Sequence, residues 1–395
     1  MNLEIEFSKE KGIEERKVEI VERKGLGHPD TICDACCELA SAKLSQYYLR
    51  NFGKVLHHNL DKGLLVGGKA KPKFGGGTVL KPIKLIIAGR ATDRVGKKKI
   101  NVEKICKSAV LYYLKKLEVS PKYFKVYVDY KPGAANLQEV FKRKSSFEGI
   151  SNDTSFGIGF APLSRTEKAV LSLSNFLNLK LCKKIKAIGK DIKVMARRQS
   201  KRIYFTLAIA YIDKHISCLK EYFEIKEKTK ESALSFLKKM KELKDFEISL
   251  DINVLDNENA KSEEDVYVTV TGLSAEQGDD GQVGRGNRIN GLLTACREMS
   301  LEAACGKNIR HAGKLYQVLA KLIAEKIWKR TGKDCYVRML STIGKPLSQP
   351  QIVSVKMIGR KNEKIVREVK RTVKETLNEI TKIQEALVYE KINLF

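Results

Sequence analysis

The chain has 395 residues, with 75 basic and 47 acidic side chains, a net charge of +28 and 43% hydrophobic content. That length predicts two or three domains, or one large fused fold that buries about three quarters of its unfolded surface without disulfide staples. The composition excludes bulk disorder, and no apolar run approaches the ~18 residues of a membrane span.

The opening residues alternate (Leu3, Ile5, Phe7) and carry no leader pattern, so a soluble, cytoplasmic chain is expected. In chain order, the periodicities predict a strand at 17–21 and a helix at 31–50. A glycine-rich segment at 63–77 comes next, then a strand at 84–89, a helix at 102–117 and a strand at 123–130. Residues 145–160 read as turn-rich. They precede a helix at 166–179, a strand at 201–211, an amphipathic helix at 221–243 and a strand at 267–271. Helical spacing returns at 315–330, where Tyr316, Leu319, Ile323 and Ile327 share a face. It returns again at 361–388 through Val366, Val369, Val373, Leu377 and Ile380, a segment expected to dock on the body. The alternation of strands and helices predicts an α/β or α+β fold, sheets layered with helices.

Nine cysteines, odd in number and scattered, suit a reducing compartment. Only Cys33, Cys36 and Cys37 cluster. They fall within a helical pattern with Ile32 and Leu39, and no second pair completes a tetrahedral site, so they read as core rather than zinc ligands. The positive charge is spread along the chain in short bunches such as Lys97-Lys98-Lys99, mostly solvated faces. Such a field selects anionic ligands as a class, not one ligand. Aromatic–basic interleaving and known nucleic-acid modules are missing, which argues against a nucleic-acid partner.

Three segments combine polar groups and glycine without hydrophobic periodicity. In Arg23-Lys24-Gly25-Leu26-Gly27-His28-Pro29-Asp30, Asp30 stands where it could cap the following helix; in the functional reading His28 is a proton or hydrogen-bond donor and Asp30 a hard oxygen ligand for Mg²⁺. In the run from Gly278 to Arg288, the adjacent Asp279 and Asp280 repel one another unless a divalent cation lies between them. Arg285 and Arg288 offer forked donors to phosphate. Gly306-Lys307 through Lys314 is a basic loop ahead of a helix, a natural anion site. Walker A spacing is absent, and Gly157-Ile158-Gly159 lacks the third glycine of a dinucleotide fingerprint. Carboxylates for a metal with Lys and Arg for phosphates imply an Mg²⁺–polyphosphate substrate, and the residues by themselves carry the reading no further.

These segments, in this order, resemble the archaeal-type S-adenosylmethionine synthetase family, and the likeness covers nearly the whole chain. It includes Gly27-His28-Pro29-Asp30, His57-His58-Asn59, Pro72 to Gly77, Gly89-Arg90-Ala91-Thr92, Asn152 to Gly157, Asp191 to Met195 and Gly272 to Gly291. The resemblance implies attack of methionine sulfur on the ribose C5′ of ATP, followed by hydrolysis of the released triphosphate to diphosphate and phosphate. It implies that His28 lies near the reacting ribose oxygen and that Lys193, Arg285 and Lys307 contact triphosphate. Asp30 and Asp279, with Asp280, would ligate Mg²⁺; K⁺ is an implied activator. Asp153 would line the adenosine and methionine pocket, with Gly133, Asn136, Arg288 and Lys314 as further nucleotide contacts. The family's fold implies one unit of three similar α/β subdomains, pseudo-threefold and interleaved over 1–395, and a homodimer with active sites between subunits.

The sequence departs from the family at Gly133-Ala134-Ala135-Asn136-Leu137, where a hydroxyl and a carboxylate are missing, at Asn59-Leu60-Asp61, at Cys296-Arg297-Glu298, and in the 306–311 stretch, one residue short. These changes motivate an alternative, a catalytically weakened paralogue acting as a binding or regulatory subunit.

Overall fold

The computed structural model describes residues 2–134, 147, 149–284, 289–300 and 302–395. Helix α1 (Pro29–Phe52) is buried along most of its length, because its sequence is apolar or small on nearly every face. It packs with α2 (Val102–Lys116) on a sheet of strands Gly281–Gln282, His58–Val66, Ile83–Ala91 and Phe124–Lys131, in that order. Leu60, Leu65, Leu85 and Ile87 of the sheet meet Ile32, Cys36, Leu44 and Val110 in one core. Cys33, Cys36 and Cys37 are free thiols in this core, and burial pushes each above its usual range.

A second sheet runs Glu247–Ile252, Arg202–Ile212, Ile188–Gln199, Val18–Lys24 and Leu292–Thr294. Its strands alternate cleanly: Ile203, Phe205, Leu207 and Ile209 face α3 (Arg165–Phe176) and α4 (Leu219–Lys238). The opposite face carries Tyr204, Thr206, Ala208, Val18 and Ile20, the last two exposed at 44% and 42%. The third sheet joins Leu3–Ser8, Ile352–Ile358, Cys335–Leu340 and Phe156–Ala161 under α5 (Ala312–Thr331), α6 (Glu363–Asn378) and α7 (Ile380–Val388). Each sheet draws strands from distant parts of the chain, so its layers close only after long-range pairing.

The mixed α/β architecture matches the sequence pattern, and three of its departures from the predicted elements have a plain physical cause. The strand Phe156–Ala161 replaces the expected turns, because Gly157 and Gly159 face α5 rather than a bend. A Cβ on either would stand 2.2 Å from the helix backbone, at Tyr316 and Lys321, so glycine sets the strand–helix distance. Strand Ile188–Gln199 is hidden in sequence by its charged outer face and by a register shift between Ile188 and Ile192. The segment 361–388 is two helices rather than one, parted at Glu379. Gly159→Ala should lower the unfolding free energy by about 1–3 kcal/mol, since backbone cannot yield as a side chain can. Urea unfolding checks this, and an unchanged midpoint would show that α5 can retreat.

Candidate functional site

The loop 25–27 runs along strand Ile188–Gln199, with Gly25 N–H donating to Ile192 O and Gly27 N–H to Lys190 O. A Cβ on Gly27 would stand 2.6 Å from Asp191 N, so the loop can lie flat only as glycine. It delivers His28 to the N-cap of α1, where Nδ1 accepts from Asp30 N–H at 3.2 Å, and Pro29 takes the first helical position. The cap is thus His28, not Asp30. The Asp30 side chain instead holds two other elements: Oδ1 accepts from Gln282 N–H (2.9 Å) and Oδ2 from Lys24 Nζ (2.6 Å). Gly284 N–H donates to Asp34 Oδ1 one turn on, and a Cβ on Gly281 would strike Pro29, so the acidic loop docks tightly on the helix start.

These contacts gather His28, Asp30, Lys193, Asp279 and Asp280 around one cavity of about 270 Å³. Lys24, Asp191, Ala208, Tyr267 and Ser274 complete the lining. Ser274 joins two carboxylates: its N–H and Oγ donate to Asp191 Oδ2, and Oγ also reaches Asp279 Oδ2. Burial, reinforced by the negative charges of Asp279 and Asp30, pushes the Asp191 carboxyl up to about 7. Three carboxylates on one cavity, two of which raise the proton affinity of the third, form a hard oxygen donor set that a divalent cation would relieve. Burial, with Lys24 and Lys193 nearby, depresses His28 to about 4, so the ring is neutral at pH 7. With Nδ1 accepting, Nε2 carries the proton and can donate. Asp280 Oδ1 accepts from Gly67 N–H, just past the end of strand His58–Val66.

Lys307 does not line this cavity. Its loop bridges to Asn59 on strand His58–Val66 and is fastened to α1 well along the helix: Ser41 Oγ donates to Lys307 O, and Gly306 N–H to Glu38 Oε2. Eleven residues separate Asp30 from Ser41, about 16 Å of helix. There Lys307 Nζ pairs with Asp61 and lies 3.4 Å from Glu302 Oε2. His311 caps α5 as His28 caps α1, with Nδ1 accepting from Gly313 N–H and Nε2 3.4 Å from Asp153 Oδ2. Asp153, Glu302 and His311 hold their ligand atoms within 4.8 Å of one another. Burial, then Glu302, raises the Asp153 carboxyl. Burial also raises Asp61, but Lys307 and Lys62 outweigh it and hold the group low.

The chain therefore carries two clusters, one with His28, Asp30, Asp191, Lys193, Asp279 and Asp280, the other with Asp61, Asp153, Glu302, Lys307 and His311. Of the residues expected to meet at an active site between subunits, His28 and Asp279 line one cavity of the chain and Lys307 stands in its other cluster. Lys314, expected as a nucleotide contact, is corrected: it is 1% exposed, its ammonium spent on Glu38 and on Lys307 O, so it anchors the loop. Gly133 packs on the His57 ring, where a Cβ would sit 2.4 Å from Nδ1. Asn136, Arg285 and Arg288 lie outside the described residues. Glu302 escapes a sequence reading because it sits apart from the glycine-dense motifs; Lys24, Asp191 and Ser274 stand in quoted motifs but look like solvated strand or loop residues.

Fold and site together define a mixed α/β protein with acidic and lysine clusters suited to a phosphate chain and a divalent cation. The family model described as S-adenosylmethionine synthetase (AdoMet synthetase) matches residues 1–391. The chain is 44% identical to the S-adenosylmethionine synthase of Methanocaldococcus jannaschii over 97% of both chains, and 43% identical to that of Sulfurisphaera tokodaii over 100% of both. A solved structure of an unusual S-adenosylmethionine synthetase from Campylobacter jejuni shares the fold, with TM-score 0.58 and 16% identity over 93% of this chain and 89% of that one. The chain belongs to the S-adenosylmethionine synthetase family and is a methionine adenosyltransferase.

Two buried histidines away from the carboxylate cavity set an acid limit on stability. Burial depresses His57 to about 4 and His58 to about 3, against an ordinary 6.5. A depressed folded value means that their contribution is complete above pH 6.5 and is lost as pH falls towards 3–4. The urea midpoint should accordingly drop between pH 7 and pH 4, and NMR should show both rings neutral at pH 5; rings that titrate near 6.5 would contradict this burial.

Proposed function

We propose that this protein joins ATP and L-methionine by attack of the methionine sulfur on ribose C5′, with departure of the whole triphosphate and its hydrolysis to diphosphate and phosphate. The observation that carries the reading is the convergence of His28, Lys24, Lys193, Asp30, Asp191 and Asp279 on one cavity. A thioether needs no base, so the residues must address the leaving group. Neutral His28 donates from Nε2 to the oxygen that parts from C5′, while Lys193 and Lys24 meet the negative charge that develops on the triphosphate. Asp30, Asp279 and Asp191 are the residues that would hold Mg²⁺, which when bound supplies Lewis-acid charge to the phosphates. Asp280 serves loop closure through Gly67 as well as any cation. Asp153 and His311 border the methionine and adenosine end, with Lys307 reaching phosphate from the same side. K⁺ is an activator on the family resemblance alone.

At about 270 Å³ the carboxylate cavity falls short of the ~300–1,000 Å³ usual for one ligand, and two substrates must be accommodated. It opens on the side of the second sheet that presents Lys193 and Ala208, continuous with exposed Val18 and Ile20. A homodimer that buries these faces brings the first cluster of one subunit to the second cluster of the other. The three layered sheets are then the three interleaved subdomains of one unit. The nine free cysteines support a cytoplasmic setting, and among the described residues no helix is long and apolar enough to cross a membrane. No observation favours the weakened paralogue.

Incubation with ATP, methionine, Mg²⁺ and K⁺ should yield S-adenosylmethionine, diphosphate and phosphate; a folded protein that makes none would reject the reading. Asp279→Asn and Lys307→Ala should each lose turnover by about 10²–10³ with little change in unfolding. Remixing the two inactive variants should restore roughly a quarter of parental turnover, because half the dimers are mixed and each then has one intact shared site. No restoration after proven subunit exchange would place both clusters in one subunit's site.

A further inference from the structure

On the strand Val18–Lys24, Lys24 faces the carboxylate cavity, and its neighbour Arg23 points the other way, into a second cavity of about 440 Å³. This cavity lies at the seam of the layers, walled by Leu26, by Tyr113 of α2 and by Phe395, whose ring meets Tyr113 edge-on at 5.9 Å. Arg23 is only 4% exposed, and among the described residues its Nε and Nη1 have no hydrogen-bond partner. Burial holds the guanidinium below its ordinary range.

The neighbouring carboxylates do not neutralise it. Glu38 lines the same cavity but is committed to Lys314 Nζ and Gly306 N–H, and Glu390 sits exposed at the rim. Room for the guanidinium is made by Gly291, where a Cβ would stand 1.3 Å from Nη1. A charged donor taken out of water without an acceptor is costly, and such groups in folded proteins are satisfied by water or by a ligand. The lining is mixed, with Leu26, Leu39, Tyr113 and Phe395 as apolar wall beside Arg23, so a ligand with one anionic end and one apolar end satisfies both kinds of wall. Lys116, also on the lining, adds positive charge at the mouth.

We propose that this seam binds a small amphipathic anion, its carboxylate or phosphate taken by Arg23 in a forked contact and its apolar body by Leu26, Tyr113 and Phe395. The site stands apart from the adenosyl-transfer cavity, and its test does not use turnover, so either reading can fail without the other.

The test titrates 4-phenylbutyrate, its neutral amide 4-phenylbutyramide and inorganic phosphate into the full-length chain by calorimetry. Phenylbutyrate should bind at least about tenfold more tightly than the amide, and phosphate should compete with it. Arg23→Met, which removes an unpaired charge and keeps the side-chain length, should fold as the parent does and abolish the preference for the acid. Equal binding of acid and amide, a preference that survives in R23M, or absence of heat with phenylbutyrate at millimolar concentration would each overturn the proposal. A crystal soaked in phenylbutyrate gives a check that needs no variant. Density for its carboxylate on Arg23 supports the site; ordered water alone, or a protein group folded onto Arg23, refutes it.

Discussion

Asp30 is the joint on which this site depends. One oxygen takes the N–H of Gln282 and the other the ammonium of Lys24, so one buried carboxylate fixes the acidic loop, the strand before α1 and the start of α1 itself. Such charge-assisted bonds are short and directional, and a carboxylate already placed by a helix N-terminus pays little further entropy to make them. The arrangement leaves Asp279 free to face the cavity while Ser274 holds it beside Asp191. Lys24 and Ser274 offset part of the repulsion among the carboxylates, and the raised Asp191 carboxyl shows that part of it remains for a cation to relieve.

Helix α1 acts as a ruler between the two clusters. Its N-terminus carries His28 and Asp30; farther along, Glu38 and Ser41 hold the loop of Lys307. Because the helix is buried along most of its length, the spacing between the clusters is rigid. Both clusters are opened by a histidine N-cap, His28 on α1 and His311 on α5, each accepting a backbone N–H through Nδ1. An imidazole used in this way is fixed in tautomer and direction by the fold, and its other nitrogen remains available to a substrate. The same loop explains Lys314: a lysine next to a phosphate-binding candidate can serve by anchoring it, with Glu38 as its counter-charge.

The motifs rich in glycine announced the first cluster well. His28, Asp30, Asp279 and Asp280 stand out because glycine, proline and paired carboxylates make poor core and poor helix. Asp61 and Glu302 carry no such mark. They lie on a strand and in a loop of ordinary composition; the pairing of distant segments sets Asp61 beside Lys307, and the fold of the 302–307 loop sets Glu302 there. Gly157-Ile158-Gly159 misleads in the opposite direction, since its glycines answer a packing distance, not a turn or a phosphate.

The sequence by itself determined the α/β class, most helices and the family, because periodicity, caps and long ordered motifs are local properties of the chain. It also determined which side chains could meet a cation or a phosphate. The tertiary structure alone decided how these are shared out: His28 and Asp279 in one cavity, Lys307 in another cluster, Lys314 buried in an ion pair, and Arg23 turned away from its neighbour Lys24. Those outcomes turn on strand register and on which face of each element is covered, and a pairing between residues hundreds of positions apart leaves no trace in either segment's own composition.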